Sequence, residues 1–341
     1  MSALLTGFIL LFSASISQGT MGYGQKRFQP MSWEAYWFLF CILSMIAVPL
    51  IWINIVIPDP VAALQAVATK NMLIAATMGA LWGIGALMWA KALVFLGLSI
   101  TYGIGMSMSA MIGSLGVLFR GENIWVKTST YWILTGIAVL ILGILIITLA
   151  GAKREKIKGD LPDVSSLSKG MLVLMFVFAF ANGIFSSGLP LGFDRVQVAA
   201  DTAILQGAEP YNASLLNWVY VFIGGLAIQA GYAFVMMLKN KTFNSFTTPG
   251  VWKAYLTASI TAVLWFAPLA LFGMSTAVLG DLGKVIGWPI YCALAVIASN
   301  ILAYFTGEWK GAMKPFWQML LGVFVLIVSL VLFGYADTLA G

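Results

Sequence analysis

Residues 130–150 read TYWILTGIAVLILGILIITLA, without one charged side chain. As a helix rising 1.5 Å per residue, this run is about 30 Å long, the thickness of a bilayer's hydrocarbon core. The pattern recurs along the chain. Together with 130–150, the stretches 3–20, 33–57, 72–94, 98–119, 170–188, 212–238, 252–273, 283–305 and 316–336 predict ten spanning helices joined mostly by short loops. Composition agrees: 61% of the 341 residues are hydrophobic and 9% are charged. Soluble domains carry roughly 25% charged residues. A soluble enzyme and a nucleic-acid binder are therefore excluded, and the fold class is an all-α polytopic membrane protein. The first 20 residues lack a basic leader, so the first helix is expected to stay rather than be cleaved. Cys41 and Cys292 fall in apolar stretches and read as small apolar residues, not as a disulfide or metal pair.

Lysine and arginine set the orientation. Twelve of them flank the loops after helices 1, 3, 5, 7 and 9: Lys26, Arg27, Lys153, Arg154, Lys156, Lys158, Lys169, Lys239, Lys241, Lys253, Lys310 and Lys314. The opposite side holds Lys70, Arg120, Lys127 and Arg195. The first group is expected in the cytoplasm of a bacterial cell, with the protein in the inner membrane and both termini outside.

The chain also repeats itself. Phe119-Arg-Gly-Glu122 and Phe305-Thr-Gly-Glu308 stand 186 residues apart, as do Gly136 and Gly322. Ala80-Leu-Trp82 matches Val263-Leu-Trp265 at an offset of 183, and Leu96-Gly97 matches Leu279-Gly280 at the same offset. Gly7 pairs with Gly170 at 163, the difference falling in the longer stretch 189–209. These matches predict a five-plus-five duplication: residues 1–150, a cytoplasmic linker 151–168, and residues 169–341. Five is odd, so the second copy enters the membrane inverted. Inverted repeats are the architecture of secondary transporters that work by alternating access, with substrate held near the midplane.

Gly79-Ala-Leu-Trp-Gly-Ile-Gly85, Leu96-Gly-Leu-Ser99 and Tyr102-Gly-Ile-Gly105 resemble the L-rhamnose–proton symporter family, within the drug/metabolite transporter superfamily. Ser32-Trp-Glu34 with Trp37, Pro210-Tyr211 with Gly224-Gly225, and Glu308-Trp309 are similar too, in order from helix 1 to helix 10. The resemblance implies ten helices in two inverted repeats and ion-driven import of a 6-deoxyhexose such as L-rhamnose, coupled to protons or to sodium. It implies no cofactor, and partners limited to sugar, ion and lipid. Export of a metabolite or drug is the alternative within the superfamily.

A deoxy sugar needs hydrogen-bonding groups and flat apolar surfaces. In-helix candidates for the first are Gln18, Tyr102, Asn182, Gln229 and Asn300, with Ser107 and Ser109 offering hydroxyls from helix 4. Candidate ring faces are Trp82, Trp89, Trp265 and Trp288. Trp82 and Trp265 hold equivalent repeat positions and are candidates to sandwich the sugar. Gln18-Gly19 and Asn182-Gly183 fall near the same place in helices 1 and 6, as substrate ligands or as interhelical glue. Gly105, Ser109 and Gly113 also have the spacing of close helix packing.

Ionisable groups within the membrane are functional candidates by default. Lys91 snorkels to the cytoplasmic interface, donates to the sugar or pairs with an acid. With no histidine in the chain, a carboxylate is the simplest proton carrier: Asp281 with Lys284 three residues on, which alternatively form a surface ion pair at the outer mouth, or Glu34 or Asp194. Glu34 also suits a structural place, in the first turn of helix 2 after Ser32 as N-cap. Glu122 and Glu308, each preceding a helix, read as structural. The segment 190–207 is expected to form an amphipathic helix on the outer face, serving as a gating lid or as a plain connector. A membrane enzyme would want clustered acids or a histidine, so catalysis is not expected. A passive channel would show no dependence on an ion gradient.

Overall fold

The computed structural model describes residues 3–20, 28–119, 127–159 and 168–339. Arg120 to Glu122, Lys26, Arg27 and residues 160–167 of the linker lie outside the described residues. The described chain is helical throughout, without strands. Nine of its helices are long and apolar enough to cross a membrane, and Leu5–Gln18 is a shorter apolar one.

In chain order the elements are α1 (Ala3–Thr20), α2 (Trp33–Val56), α3 (Pro60–Gln65), α4 (Thr69–Leu96), α5 (Leu98–Leu118), α6 (Thr128–Lys158), α7 (Lys169–Ser186), α8 (Gly188–Arg195), α9 (Val198–Leu205), α10 (Asn217–Asn240), α11 (Trp252–Gly280), α12 (Gly283–Phe305) and α13 (Met313–Thr338). The expected boundaries hold within a few residues, with three informative differences. α6 runs on through the charged residues 153–158, because Lys156 and Lys158 suit a helix C-terminus. It stops at Gly159, whose φ of 73° only glycine adopts cheaply. The connector after α7 is two short helices, α8 and α9, rather than one. α11 and α12 run on with a break at Gly280, φ 63° and ψ −140°.

The chain divides into two compact units, each drawing on both halves of the sequence. The first comprises Met1–Ile84 and Leu191–Gly280, and the second Gly85–Pro190 and Asp281–Gly341.

In the first unit α2 packs antiparallel on α10. Phe38 meets Phe234 (6.1 Å between ring centres), and Glu34 meets Asn240. α4 crosses α10 where Gly79 and Gly224 bring the two backbones into contact. A Cβ on Gly79 would overlap the Val221 carbonyl, and one on Gly224 the Ala76 carbonyl. Short α3 and α9 pack together, and Tyr220 donates to the Leu64 carbonyl (2.8 Å).

The second unit is built around α6 and α13, antiparallel and interlocked by glycines. Gly136 seats the Phe333 ring, Gly143 seats Leu326, and Gly322 seats Ile147. α5 lies between α6 and α7: Gly103 faces Thr148, while Gly105 and Gly183 meet across the α5–α7 crossing. Small residues that admit a neighbouring backbone or ring are how helices associate in lipid, where no hydrophobic force separates them from the solvent.

Candidate substrate site

Within the first unit, aromatic side chains from four helices converge. The Trp82 ring on α4 lies 5.9 Å from that of Trp265 on α11, tilted by 30°. Phe40 on α2 meets Trp265 edge-on at 6.1 Å, and Phe222 on α10 meets it at 5.6 Å. Gly225 makes room for Trp82, since a Cβ there would sit 2.5 Å from its ring. Trp82 and Trp265 therefore touch each other and leave no space for a pyranose between them. A sugar using these rings would lie against an outer face. Gln229 stands one helical turn beyond Gly225 and is 3% exposed, and its amide nitrogen has no hydrogen-bond partner. Gln18, half-buried on α1, belongs to the same unit.

The second unit gathers the other candidates. Asn182 on α7 is buried and donates to the Gly85 carbonyl (3.0 Å) and to Ser186 (3.3 Å). Its amide thus ties α7 to α4, and its oxygen lies over Gly105. Trp288 on α12 is buried, donates to the Ser109 hydroxyl (3.0 Å) and stacks on Tyr291 (5.3 Å). Gly113 is the space its ring needs. The α5 small-residue row therefore serves two neighbours, α7 through Gly105 and α12 through Ser109 and Gly113. Ser107 is buried with its hydroxyl unpartnered. Tyr102 and Trp89 are half-buried, and Lys91 is exposed, as snorkelling would require. Asn300 donates back to the Val296 carbonyl (2.8 Å). It lies in an apolar groove of about 330 Å³ with Ile297, Ile301, Tyr304, Phe316 and Met319, which offers little to a polyol.

Among the ionisable candidates, Glu34 is the most firmly engaged. It is 8% exposed, and one carboxylate oxygen accepts from Asn240 and from Thr242, both at 2.9 Å. Ser32 caps α2 by accepting from the Ala35 N–H (3.3 Å) and also meets Ser245 (3.2 Å). This fastens the end of α10 to the start of α2. The Asp281 side chain lies outside the described residues, and Lys284 is half-buried.

A different acid holds the second unit. Glu155, 5% exposed near the end of α6, accepts from both the backbone N–H (2.9 Å) and the hydroxyl (2.6 Å) of Ser99. It caps α5 from another helix, since Gly97 at the N-cap position offers no side chain. Beside it, Arg154 pairs with Glu308 (2.9 Å) and lies over the Trp309 ring (4.9 Å). Nothing in Lys153-Arg-Glu-Lys156 marks Glu155 out in the sequence. It looks like one acid among cations that set topology, and only the arrival of α5 beside it creates the cap.

A family model described as L-rhamnose-proton symport protein (RhaT) matches residues 1–338. The chain belongs to this family. It is 25% identical over 313 residues to the L-rhamnose-proton symporter of Cronobacter sakazakii, covering 89% of each chain. It is 25% identical to that of a strain of Escherichia coli and 24% identical to that of Klebsiella pneumoniae, covering 89% of this chain and 90% of each relative. The family is one of symporters, so the protein is a multi-pass membrane transporter and not an enzyme.

Proposed function

We propose that the chain imports L-rhamnose with protons across the bacterial inner membrane, by alternating access of two inverted five-helix repeats. The observation that carries this reading is the family match through residues 1–338. The relatives are named for proton coupling, so the proton is preferred to sodium and import to export.

Counting α1 as a span, at about 27 Å for its 18 residues, gives ten helices with both termini outside. The repeats are 1–150 and 169–341. Three contacts support their inverted relation. Gly136 seats Phe333 while Gly322 seats Ile147, and the offset of 186 carries each member of one pair onto a member of the other. Trp82 and Trp265, equivalent at 183, touch each other. Residues that meet their own counterparts lie where a two-fold axis passes.

Sugar contacts are assigned to Gln18, Trp82, Trp89, Lys91, Tyr102, Ser107, Asn182, Gln229, Trp265 and Trp288. Coupling is assigned to Asp281 with Lys284, and Glu34 is retained as the second acid.

Uptake of labelled L-rhamnose into proteoliposomes, with the proton and sodium gradients collapsed one at a time, tests the reading. Accumulation should vanish with the proton gradient alone. Accumulation lost only with sodium, or efflux favoured over uptake, would replace it. Asp281→Asn should abolish accumulation while leaving rhamnose exchange intact. Normal accumulation by that variant removes Asp281 from the mechanism.

A further inference from the structure

Hydroxyls inside these helices have a usual fate. Those of Ser13, Ser15, Thr77, Thr148, Thr257 and Thr261 each donate to the carbonyl four residues back, at 2.6–2.8 Å. That bond hides a polar group from lipid without help from another helix. Ser44 on α2 departs from this pattern. It is fully buried, and its Oγ has no partner.

The local backbone is unusual here as well. Leu43–Ala47 is a π-helical turn, in which the Val48 N–H reaches back to the Leu43 carbonyl. The next donor in line would belong to residue 49, which is proline and has none. Neither the α-helical nor the π-helical donor therefore reaches the Ser44 carbonyl. The turn presents two oxygens of one residue, hydroxyl and carbonyl, without their ordinary helical partners. Single π turns inside α-helices recur at functional sites.

Ser44 also belongs to the unit with the aromatic cluster, one helical turn after Phe40. Along α2 it stands between Phe40, which meets Trp265 at 6.1 Å, and Trp52, which meets Phe266 at 5.8 Å. Along antiparallel α10, Gln229 stands between Phe222, which meets the same two α11 rings, and Phe234, which meets Phe38. The register puts Ser44 and Gln229 at one depth. Gln229 too is buried, with its amide nitrogen unpartnered. Two acceptors and an amide donor thus stand at one depth of the unit that holds Phe40, Trp265 and Phe222. A hydroxyl that both accepts and donates satisfies such a set, while the apolar C–H face or methyl of a deoxy sugar suits the rings.

We infer that Ser44 and Gln229 form a hydroxyl-binding subsite for the transported sugar, with the Leu43–Ala47 π turn as the device that frees the Ser44 carbonyl to serve it. Both groups are buried in this conformation, so the sugar gains access to them only when the unit opens. This rests on the rhamnose-transport reading, and the two fail differently.

Counterflow of labelled L-rhamnose, measured with equal amounts of folded protein, gives KM and maximal rate. Ser44→Ala and Gln229→Leu should each raise KM about tenfold, the effect of one lost hydrogen bond of ordinary strength, with a smaller change in maximal rate. Ser44→Thr keeps the hydroxyl and should stay within about threefold of the parent, as should Ser15→Ala, whose hydroxyl is already bonded within its helix. A set of singly deoxygenated rhamnose analogues adds a specificity readout. For one analogue the parent should already show the raised KM, and the Ser44→Ala and Gln229→Leu variants should weaken it no further. Should Ser44→Ala fail to fold, Gln229→Leu bears the test through the same analogue. An unchanged KM, or losses that simply add for every analogue, would overturn the subsite while leaving rhamnose transport standing. A parent protein that carries no rhamnose at all would overturn the transport reading instead.

Discussion

Gly224→Ala should lower the stability of the detergent-purified protein by about 3 kcal/mol or more, at or above the upper end of the usual overpacking cost, and remove most of the folded material from a size-exclusion profile. The reason is what the added methyl meets. At Gly224 it overlaps the Ala76 carbonyl and approaches the Ala80 nitrogen at 2.8 Å. Both are backbone atoms, so no side chain can swing away, and α4 must separate from α10. Gly79→Ala should do the same from the other side, against Val221. Because the two glycines serve one crossing, the double variant should cost less than the sum of the singles. Gly231 is the control: it lies on the same helix with nothing within 4 Å of an added Cβ. There alanine should be neutral, or stabilising by up to about 1 kcal/mol, as expected for an open helical site. Equal melting temperatures for the Gly224 and Gly231 variants would refute the claim that backbone contact fixes this crossing.

Glu155→Ala should destabilise the second unit by about 2 kcal/mol, read as a lower midpoint of thermal unfolding. The substitution takes the cap from α5, typically about 1 kcal/mol, and leaves two Ser99 donors in a largely dry setting, at about 1–3 kcal/mol for a buried group left unsatisfied. These two effects overlap, so they do not add fully. Glu155→Gln keeps an oxygen for Ser99 and should recover at least half the loss. Both variants also remove the 3.9 Å approach of Arg154 to Glu155, while Arg154 retains Glu308 and Trp309. An alanine variant as stable as the parent would show that water caps α5 equally well.

Much of the candidate site could be read in the sequence because hydrocarbon tolerates few polar groups. An amide or tryptophan in a stretch such as 212–238 or 252–273 is conspicuous, which is how Gln229, Trp82 and Trp265 are found. What those residues touch is less legible. Asn182 looks the same in sequence whether it faces sugar or ties α7 to the Gly85 carbonyl. Trp82 and Trp265 are equivalent in sequence, but only their placement shows that they touch each other. Ser44 has no sequence signal beyond proline five residues later. Serines in apolar helices are common and usually bond within their own helix. Ser44 stands out because its hydroxyl does not.

The sequence by itself determined that this chain crosses a membrane many times and the family to which it belongs. Those properties follow from hydropathy, charge and spacing, which are additive along the chain and need no knowledge of neighbours. The tertiary structure decided which glycines are crossings and which are idle, that Glu155 rather than a local residue caps α5, and that Ser44 and Gln229 share a depth. Each of these depends on what a second helix places within a few ångströms, and hydrogen bonding and packing act only over that range.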